Sequence, residues 1–107
     1  MKYNIVYSPE ALRDLDQTWE HIFEELCNPD AAQRIVQMVL DTVDLLCEQP
    51  FLGTMLSVVT DVESDYRFLV CEHYLAFYRI EDQGIYIDRV LHEKQNYIRV
   101  LFGDKRD

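Results

Sequence analysis

The stretch that decides the fold runs from residue 66 to residue 92 and reads YRFLVCEHYLAFYRI, then EDQG, then IYIDRVLH. Three runs rich in aromatic and β-branched residues follow one another almost without a gap, which is typical of β-strands. A polar pair at 72–73 and the turn-forming DQG at 82–84 separate them. We therefore predict three consecutive antiparallel strands, the last of them at 85–91.

A tight turn at 72–73 would set the pairing of the first two strands. Arg67 then lies opposite Tyr78, and Leu69 lies opposite Ala76 on the same face of the sheet. Because side chains alternate between the two faces, the other face is purely apolar and consists of Phe68, Val70, Leu75 and Phe77. We expect this apolar face to pack against helices and the Arg67 face to point outward. A slip of one residue would reverse the assignment.

Two helices are predicted before these strands. Ser8 can cap the first helix with its side-chain oxygen, and the proline after it suits the first helical position. Asn28 and the following proline repeat this signal for a second helix that continues to Gln49. Apolar residues recur every three or four positions, so we expect a helical hairpin with its apolar stripes facing the core. In the first helix the stripe consists of Leu12, Leu15, Trp19, Ile22 and Leu26.

The remaining segments complete the predicted fold. A strand is expected at 2–7, a weak strand or extended connection at 55–61, and a short helix or extension at 93–102, anchored by Tyr97, Leu101 and Phe102. The result is an α+β fold: an N-terminal strand, a helical hairpin packed on one face of a mainly antiparallel sheet, and a short C-terminal helix. A chain of 107 residues, 49% of them apolar, leaves room for one such domain at 1–107.

Charge and composition limit the functional classes. The net charge is −10, and residues 1–64 carry −9 of it. A field of this sign repels nucleic acid, so we do not expect direct DNA binding by this chain alone. Three cysteines within apolar patterns are typical of buried thiols in a reducing compartment. No apolar run reaches the roughly 20 residues of a membrane span, and no metal-ligand spacing is present, so we expect a cytoplasmic protein without membrane contact, metal or cofactor.

The order of the segments resembles the RelE/ParE superfamily of bacterial type II toxins. SPEALRDL opens the first helix, NPDAAQRI opens the second and QPFLG follows them, while DYRFL, YLAFYRI and IYIDRVLHEKQNY supply the strands and the C-terminal element. The resemblance covers nearly the whole chain. It implies a small toxin held inactive by a cognate antitoxin, whose C-terminal segment wraps the toxin surface.

The superfamily contains two kinds of toxin. RelE-like members are similar in cutting mRNA on the ribosome with several basic, tyrosine or histidine side chains, and at matching positions this chain keeps Arg67 but has Leu69 and Leu75. ParE-like members inhibit DNA gyrase through protein contacts, and the ending RVLHEKQNY is more similar to theirs. The acidic composition also favours a protein target. Gyrase inhibition is therefore the first hypothesis, with ribosome-dependent mRNA cleavage or a catalytically inactive relative as alternatives.

Candidate site residues follow from these two hypotheses. A nuclease would use Arg67, Tyr78, Arg89, His92 and Tyr97 as catalytic residues. Binding of antitoxin or target would use Arg67, Tyr74, Arg79 and Lys94.

Each candidate also has a structural explanation. Arg67 could pair with Asp65 or Glu81 at a sheet edge. Arg89, expected on the same strand face as Ile87 and Leu91, could pair with a helix carboxylate. His92 could cap or pack at the end of its strand.

Overall fold

The structure is a computed structural model that describes residues 2–103. Its elements are β1 (Asn4–Tyr7), α1 (Pro9–Leu26), α2 (Pro29–Asp44), a single 3-10 turn (Leu45–Cys47), β2 (Thr54–Met55), α3 (Leu56–Val59), β3 (Arg67–Cys71), β4 (Tyr74–Glu81), β5 (Gly84–His92) and α4 (Tyr97–Phe102). The strand order is β1-β5-β4-β3-β2. β1 runs parallel to β5, and all other neighbours are antiparallel. The predicted α+β fold is confirmed.

The helical hairpin starts where the capping residues predicted it. The Ser8 hydroxyl accepts a hydrogen bond from the Ala11 amide at 2.9 Å. The Asn28 side chain accepts from the amides of Asp30 and Ala31 at 3.0 and 3.2 Å. These bonds satisfy amides that have no partner within the first helical turn. α1 and α2 are therefore separate helices, with only Cys27 and Asn28 between them.

The pairing of β3 with β4 is confirmed, but the predicted orientation of the sheet is wrong. Arg67 lies opposite Tyr78 and Leu69 opposite Ala76, as expected. The face that carries Leu69, Ala76 and Tyr78 does not point outward, because it packs beneath α1 and α2 against Val39, Val43 and Leu46. Tyr78 is fully buried there.

The opposite face of the sheet is covered as well. Phe68, Leu75 and Phe77 pack against α3 and α4, in a second cluster completed by Leu56, Leu91, Tyr97, Ile98, Leu101 and Phe102. Four residues of β3 and β4 were predicted to face the core. Of these, only Val70 is exposed, at 58%. Because both faces are apolar and both are covered, alternation could not identify the face that binds the helical hairpin.

A β-bulge changes the expected alternation in β5. Ile87 pairs with Tyr78 and Arg89 with Phe77, so Asp88 is an extra residue without a partner in β4. Ile87 and Val90 consequently both reach the core beneath α1 and α2. Leu91, by contrast, belongs to the second cluster. The predicted shared face of Ile87, Arg89 and Leu91 is therefore wrong.

The apolar stripe of α1 was also placed incorrectly in part. Leu15 is buried, but Leu12 and Leu26 are 51% and 61% exposed. Trp19 and Ile22 are half-buried. The buried side of α1 is shifted toward Ala11, Asp14 and Leu15 because the helix is held over β5 by a polar contact of Asp14, described below.

Smaller differences concern the ends of elements. The segment predicted as a strand or extended connection at 55–61 forms the two-residue β2 and the one-turn α3. Of the three cysteines, only Cys71 is buried, whereas Cys27 is exposed. Among residues 2–103, no helix combines the length and the hydrophobicity needed to span a bilayer.

Candidate functional site

Four candidate residues line one cleft between α1 and the adjoining ends of β4 and β5. The cleft has a volume of about 400 Å³. Its walls hold the candidates Tyr74, Arg89, His92 and Lys94 together with Asp14, Gln17, Thr18, His21, Val90 and Gln95. The cleft therefore brings together polar groups from the first helix, two strands and the segment after β5.

Arg89 is held in this cleft by a helix carboxylate. Its Nε and Nη2 atoms donate to the two oxygens of Asp14 at 2.8 and 2.9 Å. Asp14 also accepts the amide of Val90 at 2.9 Å. The hydrogen bond with Asp14 is the main cause that raises the pKa of Arg89, so the guanidinium stays charged. The ion pair considered as its structural explanation is present.

His92 lies at the end of β5, with its ring ordered by its neighbours. The Lys94 amide donates to Nδ1 at 3.1 Å, so the neutral ring carries its proton on Nε2. The ring packs edge-on against Tyr74, with centroids 5.2 Å apart. Burial, and next the charge of Glu25, raise the pKa of Tyr74. At neutral pH this phenol is therefore protonated and serves as a wall of the cleft.

Arg67, at the start of β3, and its partner Tyr78 in β4 lie outside this cleft, beside the loop at 50–53. The Tyr78 hydroxyl donates to the Pro50 carbonyl at 2.8 Å and accepts the Gly53 amide at 2.9 Å. Arg67 donates to the Gly53 carbonyl at 2.8 Å, and its guanidinium lies 5.0 Å from the centre of the Phe51 ring. The two side chains thus position a loop.

Arg79 is at the centre of a polar cluster on the other face of the sheet. It donates to Asp88 at 2.9 Å and also binds Glu81. Tyr66 donates to the same Asp88 oxygen at 2.8 Å. Burial, followed by this bond, raises the pKa of Tyr66 to about 12. Glu81, predicted as a possible partner of Arg67, binds Arg79 instead. Arg67 forms no ion pair with a described residue and donates to the Gly53 carbonyl.

The five candidate catalytic residues are divided among three places. Tyr97 packs against Phe77 in the second apolar cluster, with ring centroids 5.3 Å apart. Arg89 and His92 are in the cleft. Arg67 and its cross-strand neighbour Tyr78 are in a third place. Tyr78 lies four residues along β4 from Tyr74, the partner of His92, which corresponds to about 13 Å at the usual rise of a strand. These groups do not surround a single phosphate-sized site.

Sequence reasoning missed the two carboxylates that organise these clusters. Asp14 lies on the buried side of α1 beside Ala11 and Leu15. Because a buried carboxylate is almost always paired, this position could have predicted a cation as its partner. Asp88 gave no comparable signal, because its role depends on the bulge. No group of three or more His, Cys, Asp or Glu side chains within residues 2–103 is arranged to hold a metal ion.

The same fold occurs in solved toxin-antitoxin systems. The chain is 24% identical to a chain of the chromosomal ParDE system from P. aeruginosa, with a TM-score of 0.71 over 85% of this chain and 96% of that one. It is 21% identical to a chain of the RelBE2 toxin-antitoxin complex from Mycobacterium tuberculosis, with a TM-score of 0.58 over 86% and 99% of the two chains. The chain thus shares its fold with chains of these two toxin-antitoxin systems.

The family model agrees with the fold. The model of the ParE toxin of the type II toxin-antitoxin system parDE matches residues 5–97. The chain belongs to this ParE toxin family and is a toxin of a type II toxin-antitoxin system. A comparison with curated proteins found no match.

Proposed function

We propose that this toxin acts in the cytoplasm by binding and inhibiting DNA gyrase, and that a cognate antitoxin neutralises it by covering its surface. The proposal rests on one observation: the three arginines of the strands, Arg67, Arg79 and Arg89, already have partners within the protein. A site that cleaves RNA needs cations directed at the phosphate, where they stabilise the charge that develops in the transition state. In this toxin those cations have other partners.

All three strand arginines are engaged inside the protein. Arg79 and Arg89 bind the carboxylates of Asp88 and Asp14. Arg67 donates to a main-chain carbonyl and lies over an aromatic ring. Hydrogen bonds of charged groups contribute about 1.5–3 kcal/mol each, so recruiting any of these arginines to a phosphate would first break a favourable contact.

Two tyrosines near these arginines, Tyr78 and Tyr66, are similarly unsuited to moving a proton. The Tyr78 hydroxyl already donates its proton to the Pro50 carbonyl and accepts the Gly53 amide in the loop beside it. The pKa of Tyr66, raised to about 12, is too far above neutral for a general base. Binding a protein makes no such demand and uses exposed apolar side chains, of which the toxin offers several: Leu12, Phe23, Leu26, Phe51, Val58 and Val70.

The proposal is tested by measuring supercoiling of relaxed plasmid DNA by gyrase. Antitoxin-free toxin is expected to inhibit the reaction, and added antitoxin is expected to restore it. As a control, the same toxin preparation is added to translating ribosomes, where the mRNA should remain intact. Full supercoiling at a large molar excess of toxin would remove gyrase as the target.

One arrangement favours the alternative, ribosome-dependent mRNA cleavage. His92 presents a protonated Nε2 in its neutral form, and Lys94 lines the same cleft. A proton donor beside a cation is a combination that RNA cleavage uses. If this cleft cleaves mRNA, His92→Ala should abolish cleavage, whereas Arg67→Ala, outside the cleft beside the loop at 50–53, should leave it intact.

A further inference from the structure

The cleft between α1 and the ends of β4 and β5 is electropositive, although the protein is acidic. Its lining holds two permanent cations, Arg89 and Lys94, against one carboxylate, Asp14, whereas the whole chain has a net charge of −10. Three other clefts, beside β1, α2 and Tyr66, each hold two carboxylates against one cation. Because a cleft focuses the field of the charges that line it, this cleft attracts anions.

Three hydrogen-bond acceptors that line the cleft are already satisfied within the protein. Both oxygens of Asp14 accept hydrogen bonds from Arg89. The side-chain oxygen of Gln95 accepts the main-chain amide of His92 at 2.8 Å. Nδ1 of His92 in turn accepts the main-chain amide of Lys94 at 3.1 Å. A ligand that needs to donate hydrogen bonds is therefore poorly served at these three positions.

Hydrogen-bond donors, by contrast, remain available in the same cleft. Lys94 is exposed, and its ammonium group forms no ion pair within residues 2–103. His92 carries a proton on Nε2 when it is neutral and gains a charge when it is protonated. The amide nitrogen of Gln95 and the protonated hydroxyl of Tyr74 add two neutral donors. The ligand that suits these groups is negatively charged and rich in acceptors.

Two further carboxylates near the cleft are engaged by histidines. Glu25, whose charge acts on Tyr74, lies 3.3 Å from Nε2 of His21. Glu93, between two cleft residues in the chain, lies 2.8 Å from Nδ1 of His73. Because each carboxylate is held by an imidazole, an anion in the cleft meets less repulsion than it would from two free carboxylates.

We propose that this cleft binds a small organic phosphate. A phosphomonoester carries nearly two negative charges at neutral pH and has three terminal oxygens, so it can accept hydrogen bonds from Lys94, His92 and Gln95 together. A carboxylate offers only two oxygens, both in one plane. The cleft volume of about 400 Å³ is within the range of small-molecule sites and leaves room for an organic group, flanked by Val90 and the Tyr74 ring.

The charges around the cleft favour a small phosphate over a nucleic-acid strand. α1 forms one wall of the cleft and carries the exposed carboxylates Asp16, Glu20 and Glu24. A strand carries a charge on every nucleotide and would extend from the cleft across this acidic surface, whereas a phosphomonoester keeps its charge inside the cleft. The proposal does not depend on which target the toxin inhibits.

Binding is measured by isothermal titration calorimetry of full-length toxin in a phosphate-free buffer. The probe is phenyl phosphate, and the comparison ligands are inorganic phosphate, which lacks the ring, and benzyl alcohol, which lacks the charge. Phenyl phosphate is expected to bind saturably, at least about tenfold more tightly than either comparison ligand, and more weakly as salt is added. No saturation at about 10 mM would overturn the proposal. Equal binding of inorganic phosphate would overturn the assignment to an organic phosphate.

Variants locate the site. Lys94→Gln is expected to weaken binding of phenyl phosphate by about tenfold, because a charged hydrogen bond is lost. His92→Ala removes a second donor and is expected to weaken binding as well. The matched control is Lys2→Gln, which changes the net charge equally at an exposed position outside this cleft and should leave the affinity unchanged. Equal affinities of Lys94→Gln and the wild type would contradict the proposal.

A competition experiment separates a small phosphate from RNA. A short single-stranded oligoribonucleotide is added to toxin that is saturated with phenyl phosphate. We expect it to displace phenyl phosphate no better than an equal concentration of inorganic phosphate does, because the acidic surface repels the strand. Displacement at concentrations below the Kd of phenyl phosphate would show that the cleft is a nucleic-acid site and that the proposal is wrong.

Discussion

The carboxylate of Asp14 and the guanidinium of Arg89, 75 residues apart in the chain, are joined by two hydrogen bonds of 2.8 and 2.9 Å. The pair fastens α1 to β5 immediately after the bulge. Asp14 is 7% exposed and Arg89 28%, so the carboxylate is shielded from water while the guanidinium remains partly solvated. The same contact therefore joins two layers of the fold and forms one wall of the cleft.

Asp14→Ala is expected to lower the free energy of unfolding by about 2–3 kcal/mol, because Arg89 and the Val90 amide lose their acceptor together. Urea denaturation followed by circular dichroism measures the change. Asp16→Ala, on the exposed side of the same helix, serves as the control and should change stability by less than about 0.5 kcal/mol. Equal effects of the two substitutions would show that the ion pair does not stabilise the fold.

Tyr78→Phe is expected to destabilise the toxin by about 1–3 kcal/mol. The substitution keeps the ring in the core but leaves the Pro50 carbonyl and the Gly53 amide without their partner. Thermal unfolding measures the loss as a lower Tm. An unchanged Tm would mean that water replaces the hydroxyl at no cost.

Tyr7→Phe is expected to be neutral or to stabilise the toxin by up to about 1 kcal/mol. The Tyr7 hydroxyl is buried and has no hydrogen-bond partner among the described residues, so its removal lifts a desolvation cost. The same unfolding assay as for Tyr78→Phe applies, and the two substitutions remove the same atom from the same residue type. A marked destabilisation would indicate a partner for this hydroxyl outside the described residues.

Gly53→Ala is expected to destabilise the toxin by about 2 kcal/mol. The added Cβ would lie 2.6 Å from the Tyr78 hydroxyl oxygen and 2.7 Å from the Phe68 carbonyl oxygen, so the loop would have to move. Combined with Tyr78→Phe, the effect should be smaller than the sum of the two, because both disrupt the same contact. A double-mutant cycle measures this, and strict additivity would contradict it.

The pH dependence of stability provides a fifth test. The pKa of Tyr66 is about 12 in the folded toxin and about 10 in an unfolded chain. Because the folded state holds the proton more tightly, the resulting stabilisation is complete below pH 10 and is lost between pH 10 and 12. Tyr66→Phe is therefore expected to reduce the fall in unfolding free energy between pH 10 and 11, measured by urea denaturation. The same fall in both proteins would count against the Tyr66–Asp88 contact.

Local signals were sufficient for most elements of the fold. Ser8 and Asn28 each offer a capping oxygen before a proline, and this chemistry acts over only a few residues. The tight turn at 72–73 likewise determines which residues of β3 and β4 lie opposite each other. These features could be predicted because the residues that produce them are neighbours in the chain.

The candidate site could be predicted only in part. The catalytic candidates Arg89 and His92 share one cleft with the binding candidates Tyr74 and Lys94. The other three catalytic candidates, Arg67, Tyr78 and Tyr97, lie elsewhere. The sequence of a strand shows how far apart its residues lie. It does not show which part of the sheet the helices leave uncovered. The role of each arginine also depends on carboxylates that come from distant parts of the chain.

The sequence by itself determined where α1 and α2 begin and how β3 pairs with β4, since these features follow from capping, turn chemistry and alternation over short distances. Only the tertiary structure decided which face of the sheet lies under α1 and α2. Both faces are apolar, and the choice depends on the bulge at Asp88, on the ion pair of Asp14 with Arg89, and on the short helices α3 and α4 that cover the other side. Those contacts join residues far apart in the chain, and no local pattern contains them.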